Sequence, residues 1–142
     1  MRKIGLDVGD KTVGIAVSDP LGFTAQGIMT LERVGIRKDT TKILEMVKEY
    51  QCDTIVIGLP KKLDGTDSIQ TEKVYEFKTL LENKMRSTGM GHINIEFYDE
   101  RLTTVMAEKV LIEADVSRRG RKKVIDKQAA VLILQGYLDK NS

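Results

Sequence analysis

Four acidic side chains stand where acids are unusual: Asp7 inside an alternating apolar run, the pair Asp99-Glu100 at the end of another, and Asp126 near the start of an apolar helical stretch. A carboxylate within a core element is costly to bury unless a metal ion, a cation or a ligand compensates it. Acids distant in sequence that converge in space are what a Mg²⁺ or Mn²⁺ site requires, because these ions take oxygen ligands and are held by a few carboxylates together with waters and substrate phosphates. Two such ions ~4 Å apart can activate a water and stabilise the leaving oxygen in phosphodiester cleavage. Each acid also has a plain reading. Asp7 could end its strand early and face water, and Asp126 could sit in a first helical turn and interact with the helix dipole. Spacing alone does not bring them together.

Positive charge is concentrated as well. Arg118-Arg119-Gly120-Arg121-Lys122-Lys123 carries five cations in six residues, and Gly120 argues for a loop from Ser117 to Lys123, directly before the helix that holds Asp126. Lys11, Lys61, Lys62 and Arg101 could position phosphates, the lysines as point charges and the arginine as a fork. The plain reading of each is a solvated surface charge.

The elements that must position these residues follow from periodicity. Ile4, Leu6 and Val8 alternate with Lys3, Gly5, Asp7 and Gly9, and Val13, Ile15 and Val17 alternate with Gly14, Ala16 and Ser18, so both halves are expected to be strands. Gly9, Asp10 and Lys11 supply turn chemistry between them, which puts Asp7 beside the small residues Gly14 and Ala16 in an antiparallel hairpin. Gly22 to Leu31 suits a third strand. A helix capped by Asp39 is expected to run to about Tyr50, and the β-branched run Thr54–Leu59 reads as a strand covered on both faces, stopped by Pro60. Val74, Phe77, Leu81 and Met85 fall on one helical face, and Ile93, Ile95 and Phe97 alternate into a last strand ending at Asp99-Glu100. Thr103 or Thr104 is expected to cap a helix through Ala114, and Val124 to about Leu138 forms the final one, with Ala129 and Ala130 small enough for close approach to the sheet. The order predicts an α/β fold with a mixed five-stranded sheet flanked by helices on both faces.

The totals bound the function. The 142 residues suit one domain, 1–142, burying ~two thirds of the surface of its extended chain. With 23 basic and 21 acidic side chains, any electrostatic signal must be local. A single cysteine, Cys52, and a single histidine, His92, exclude an intramolecular disulfide and a Cys/His zinc site. No signal peptide and no membrane-spanning window is evident, so a cytoplasmic protein without membrane partners is expected.

Four blocks together resemble one family. Gly5-Leu-Asp-Val-Gly-Asp-Lys-Thr-Val-Gly-Ile-Ala-Val-Ser-Asp19, Val56-Ile-Gly-Leu-Pro60 with Asp64-Gly-Thr66, Asp99-Glu-Arg-Leu-Thr-Thr104, and Lys123-Val-Ile-Asp-Lys-Gln-Ala-Ala130 with Ile133-Leu-Gln135 look like the YqgF, or RuvX, family. The resemblance spans the chain and implies a ribonuclease H-like three-layer fold. It also implies a hydrolase, a metal-dependent nuclease associated with Holliday junction resolution and with maturing the 5′ end of pre-16S ribosomal RNA. By resemblance Asp7, Glu100 and Asp126 match the family's metal-binding, catalytic carboxylates, with Asp99 as neighbour and Mg²⁺ or Mn²⁺ as cofactor. The implied partners are nucleic acid, either an rRNA precursor or a four-way DNA junction, and ribosomal particles, with the protein a monomer or weak dimer. Thr12 and Lys62-Leu63 depart from the family pattern, which bears on phosphate contacts rather than on the acids.

Two other readings compete. The first hairpin also resembles the phosphate-binding hairpin of actin-like and sugar kinases, but a 142-residue chain without a repeat of that motif has no second half to close over ATP. A non-catalytic RNA-binding assembly factor would use the cations equally well, yet it gains nothing from three acids along a phosphate path, since they repel the backbone. No aromatic ladder for single strands is present, with four Tyr, three Phe and no Trp.

Overall fold

The strand alternation around Asp7 produces the expected hairpin: β1 (Arg2–Val8) and β2 (Thr12–Ser18) run antiparallel, with Asp7 opposite Gly14 and Gly5 opposite Ala16. The Gly9 N–H donates to the Thr12 carbonyl at 2.9 Å and closes the turn. The computed structural model describes residues 1–102 and 119–141, the stretch 119–126 by its backbone. β3 (Ala25–Glu32) extends the meander beside β2. On the other side of β1 lie the parallel strands β4 (Cys52–Leu59) and β5 (Asn94–Asp99), giving the order β3-β2-β1-β4-β5. This is the mixed five-stranded sheet that the element order predicts.

The period of two sorts side chains between two apolar layers. Ile4, Leu6, Val8, Ile15, Ile55 and Ile57 point to one face and form a core with α1 (Ile36–Glu49) and α2 (Ile69–Ser87). Ala16, Val56 and Tyr98 belong to the opposite face, where Ala129, Ala130, Ile133 and Leu134 of the C-terminal helix α3 (Arg119–Lys140) cover them. The central strands are therefore buried on both sides, each large aliphatic side chain contributing about 1.5–3 kcal/mol. The α3 face is lined by small residues, and the helix comes close: a Cβ built on Gly5 would stand 2.7 Å from Leu134 Cβ and 3.2 Å from the Ala130 carbonyl oxygen.

Two expectations about helix starts require correction. α1 begins at Ile36 with Gly35 as its N-cap at φ 149°, a backbone region that favours glycine, so Asp39 is not the cap. Asp39 instead sits buried in the first turn, accepting from the Val34 N–H at 3.1 Å and from Arg33 Nε at 3.1 Å, and so serves the backbone just ahead of the helix. α3 begins at Arg119, so the basic residues Arg119, Arg121, Lys122 and Lys123 lie on its first turns rather than on a loop. Arginine and lysine are good helix formers, and a single Gly120 costs only ~1 kcal/mol against a helix already nucleated by its packed apolar half. The helix expected from Thr103 or Thr104 to Ala114, and Arg118 with the start of the basic run, lie outside the described residues. Among the described residues no helix is long and apolar enough to cross a membrane.

Candidate active site

Asp7 is 5% exposed near the end of the central strand β1. Its neighbour on β2 is Gly14. On β4 the parallel register pairs Gly5 with Val56 and Leu6 with Ile57, and continued by one residue it sets Asp7 beside Gly58. The carboxylate therefore emerges on the α3 face between two residues without side chains. Glycine weakens a strand interior and marks a place where something else must approach. At Gly58 that something is an acid: a Cβ there would lie 3.3 Å from Glu100 Cγ and would also collide with Ile133 Cδ1 of α3.

Glu100 is 1% exposed and opens the 3₁₀ turn Glu100–Leu102 that ends β5. Strand alternation assigns different roles to the adjacent acids. Tyr98 belongs to the α3 layer, so Asp99 faces the other way, and the turn returns Glu100 over Gly58. Asp99 is taken up by Arg101: Nη2 lies 2.6 Å from Oδ2, Nε lies 3.0 Å from Oδ2 and 3.1 Å from Oδ1, and the Arg101 N–H donates to Oδ1 at 2.9 Å. These Arg101 hydrogen bonds hold the Asp99 carboxyl below the usual carboxylate range. Of the pair, Glu100 is the one that lies over Gly58, the residue the continued register sets beside Asp7.

Arg101 also reaches the loop after β4. Its Nη1 lies 3.5 Å from the Leu63 carbonyl and 3.0 Å from where a Gly65 side chain would begin, at a residue whose φ of 89° already favours glycine. The loop is internally tied. Asp64 accepts from Thr66 Oγ1 at 2.6 Å and from the Thr66 N–H at 2.9 Å, bonds that keep its carboxyl low, and Lys61 pairs with Asp67 at 3.5 Å. Lys62 is exposed on this loop, and Lys11 is exposed on the β1–β2 turn, which Arg33 pins by donating from Nη1 to the Gly9 carbonyl at 2.9 Å. Both cations therefore stand on ordered backbone close to the end of the sheet where Asp7 lies.

Helix α3 runs antiparallel to β3, with Lys127 against Gly27 and Gln135 Oε1 accepting from the Ala25 N–H at 2.9 Å. Since β3 and β1 point the same way, the start of α3 lies toward the end of β1 that carries Asp7. The backbone of Asp126 stands about one turn before Ala130, which packs at Gly5. Among the described residues no group of three or more His, Cys, Asp or Glu is disposed to hold a metal ion; the Asp126 side chain is not among them. Asp7 and Glu100 are hard oxygen donors of the kind Mg²⁺ and Mn²⁺ take, and the flanking glycines leave room for ligands, so these residues fit such an ion. Sequence reasoning passed over Gly58. Its signal was available, a glycine interrupting the otherwise apolar run of β4. Cys52 has no place in this chemistry, because it is 3% exposed and burial pushes its thiol up to about 11.

Comparison with known proteins bears on the family and the fold. A model of the family described as "RuvX: Holliday junction resolvase" matches residues 1–140. A relative from Clostridioides difficile (strain 630), named "Putative pre-16S rRNA nuclease", is 56% identical over 138 residues, covering 97% of this chain and 94% of its own. A relative of the same name from Clostridium botulinum (strain Hall) is 52% identical over 142 residues, covering 100% and 99%. Among solved structures, T. thermophilus RuvC in complex with Holliday junction substrate superposes with a TM-score of 0.59 at 11% identity, over 99% of this chain and 95% of that one. The yeast mitochondrial Holliday junction resolvase superposes with a TM-score of 0.57 at 11% identity, over 96% and 77%. At such identities the structural likeness speaks for the fold, which is the ribonuclease H-like one expected from the sequence. The full-length family match and the two relatives more than half identical establish that the chain belongs to the RuvX Holliday junction resolvase family.

Proposed function

We propose that this protein is a Mg²⁺- or Mn²⁺-dependent endonuclease that matures the 5′ end of pre-16S rRNA in the cytoplasm, with Asp7, Glu100 and Asp126 as its metal-binding, catalytic carboxylates. The observation that carries the reading is the pairing of two buried acids at one glycine: Asp7 beside Gly58 in register and Glu100 over it. Two acids at such a place repel each other and repel a phosphate backbone unless positive charge joins them. Asp126, whose backbone lies in the first turns of α3 on the same side of the sheet, is our choice for the third.

When bound, the divalent ion neutralises charge on the phosphodiester and makes the attacking water more acidic. The protein's own residues do the rest. Asp7 is fixed by two neighbouring strands, and Glu100 by the Asp99–Arg101 clamp and the Gly58 surface, so neither acid must reorganise as charge develops at phosphorus. Lys11, Lys61 and Lys62 contact the phosphates flanking the scissile one, with Arg119, Arg121, Lys122 and Lys123 of α3 and Arg118 ahead of it extending the path. Arg101 acts in this set through the loop it braces.

The choice of RNA rests on the names of the relatives and on the economy of the fold. Among the described residues, the apolar faces of α1, α2 and α3 are used in the two cores rather than offered to the symmetric dimer that paired junction cuts demand, at ~800 Å² per partner. The test is to incubate the protein and Mn²⁺ with a precursor rRNA fragment spanning the mature 5′ boundary and, separately, with a synthetic four-way junction. Cutting of the RNA at that boundary with the junction intact is expected. Symmetric nicking of the junction with the RNA intact would assign resolvase activity instead, and binding of RNA without cutting either substrate would favour an assembly factor.

A further inference from the structure

On the layer opposite α3, the first turns of α1 and the end of α2 form a groove lined by Arg37, Lys38, Thr41, Lys42, Glu45 and Lys84. Four of these six are cations and one is an acid, in a chain whose net charge is only +2. The arrangement is built rather than loose. The Lys84 ammonium crosses from α2 to α1 and donates to the Arg37 carbonyl at 2.7 Å and to Thr41 Oγ1 at 2.5 Å, which fixes a positive charge in the groove and leaves a third N–H for another acceptor.

None of the four cations is in an ion pair among the described residues, whereas Lys78 and Arg86, on the same helix as Lys84, both pair with Glu82. Glu45 lies three residues after Lys42, within helical reach, yet no ion pair joins them. Lys38 and Lys42 stand at i and i+4, a like-charge spacing that destabilises a helix by a few tenths of a kcal/mol. Four unneutralised cations around one groove, one of them anchored, complement a run of regularly spaced monoanions.

We propose that this α1–α2 groove is a second nucleic-acid contact, which grips the phosphodiester backbone of the RNA at a distance from the carboxylate site. The inference rests on the nuclease reading for the identity of the polyanion. Each cation that meets a phosphate releases condensed counterions, so the groove would add affinity for long RNA without sequence preference. A strand held at both places wraps the edge of the molecule, and a long precursor is held better than a short fragment.

The test measures binding of fluorescein-labelled polyuridylate and of a labelled uridine hexanucleotide across a salt series in EDTA, where no cleavage occurs. Wild type is compared with the triple variant Arg37→Gln/Lys38→Gln/Lys42→Gln, which keeps the interhelical Lys84 bonds, its fold being checked by thermal unfolding. Loss of three contacts is expected to lower polyuridylate affinity at least ~10-fold and to reduce the slope of log K against log salt by about 2. Hexanucleotide affinity should change far less. Unchanged polyuridylate affinity and slope would overturn the proposal, as would loss of binding to phosphatidylglycerol vesicles with RNA binding intact. Because the measurement needs no metal, a positive result stands even if the protein cuts neither RNA nor junction, and the two readings fail separately.

Discussion

Asp99 and Glu100 are adjacent in sequence and chemically alike, yet the fold gives them opposite duties. Glu100 is buried over Gly58, while Asp99 is partly exposed and gripped by the Arg101 fork. The grip has a pH signature. Arg101 holds the Asp99 carboxyl below its unfolded value, so this interaction contributes stability above the ordinary carboxylate pKa of about 3.9 and loses it as pH falls through the lower folded value. Asp99→Asn is therefore expected to be less stable than wild type in urea at neutral pH, with the gap closing on acidification below about pH 4. A gap that stayed constant into acid would mean that the pair adds nothing to the fold. From sequence alone the two acids could not be ranked, because the decision lies in which face of β5 each side chain leaves and in a 3₁₀ turn that no local pattern announces.

At the scale of elements, the site is made by glycines in strands. Gly14 and Gly58 flank Asp7, and Gly5 lets α3 approach until Leu134 nearly touches the sheet. Gly58→Ala separates function from packing. The new Cβ would meet Ile133 Cδ1 and stand 3.1 Å from its Cγ1, so that buried side chain must take another rotamer, and it would lie 3.3 Å from Glu100 Cγ, which must shift by a few tenths of an ångström. The variant should fold and lose metal-dependent cleavage by ~10-fold or more, since displacements of about 1 Å at a reacting centre can cost 10²-fold. Wild-type turnover by a folded Gly58→Ala protein would remove Gly58 from the account. The strands and the two apolar stripes were legible because period-2 and helical spacing dominate those segments. The starts of α1 and α3 were not. Gly35 caps through a backbone angle rather than a side chain, and the Arg119–Lys123 run, with its glycine, reads equally as loop or helix until the packed half of α3 propagates through it.

Across the whole molecule, the sheet divides labour between its faces. The α3 side is lined with small residues and carries the acids; the α1–α2 side holds the bulk of the aliphatic core and, on its outer surface, the cationic groove. A strand-borne Asp7 was readable from sequence as an anomaly, since a charge in a central strand conflicts with its surroundings and such conflicts mark functional sites. The partnership with Glu100 that we propose for it depends on a parallel crossover that brings β4 between β1 and β5. The account stands or falls on that partnership acting through a metal ion. Its most direct test is the Mn²⁺-dependent cleavage rate of Asp7→Asn, a near-isosteric change that removes the charge, measured beside wild type with thermal unfolding as the check of fold. The account predicts a folded protein whose cleavage falls by roughly a hundredfold to a thousandfold or more, and a folded Asp7→Asn that cuts at the wild-type rate would contradict it.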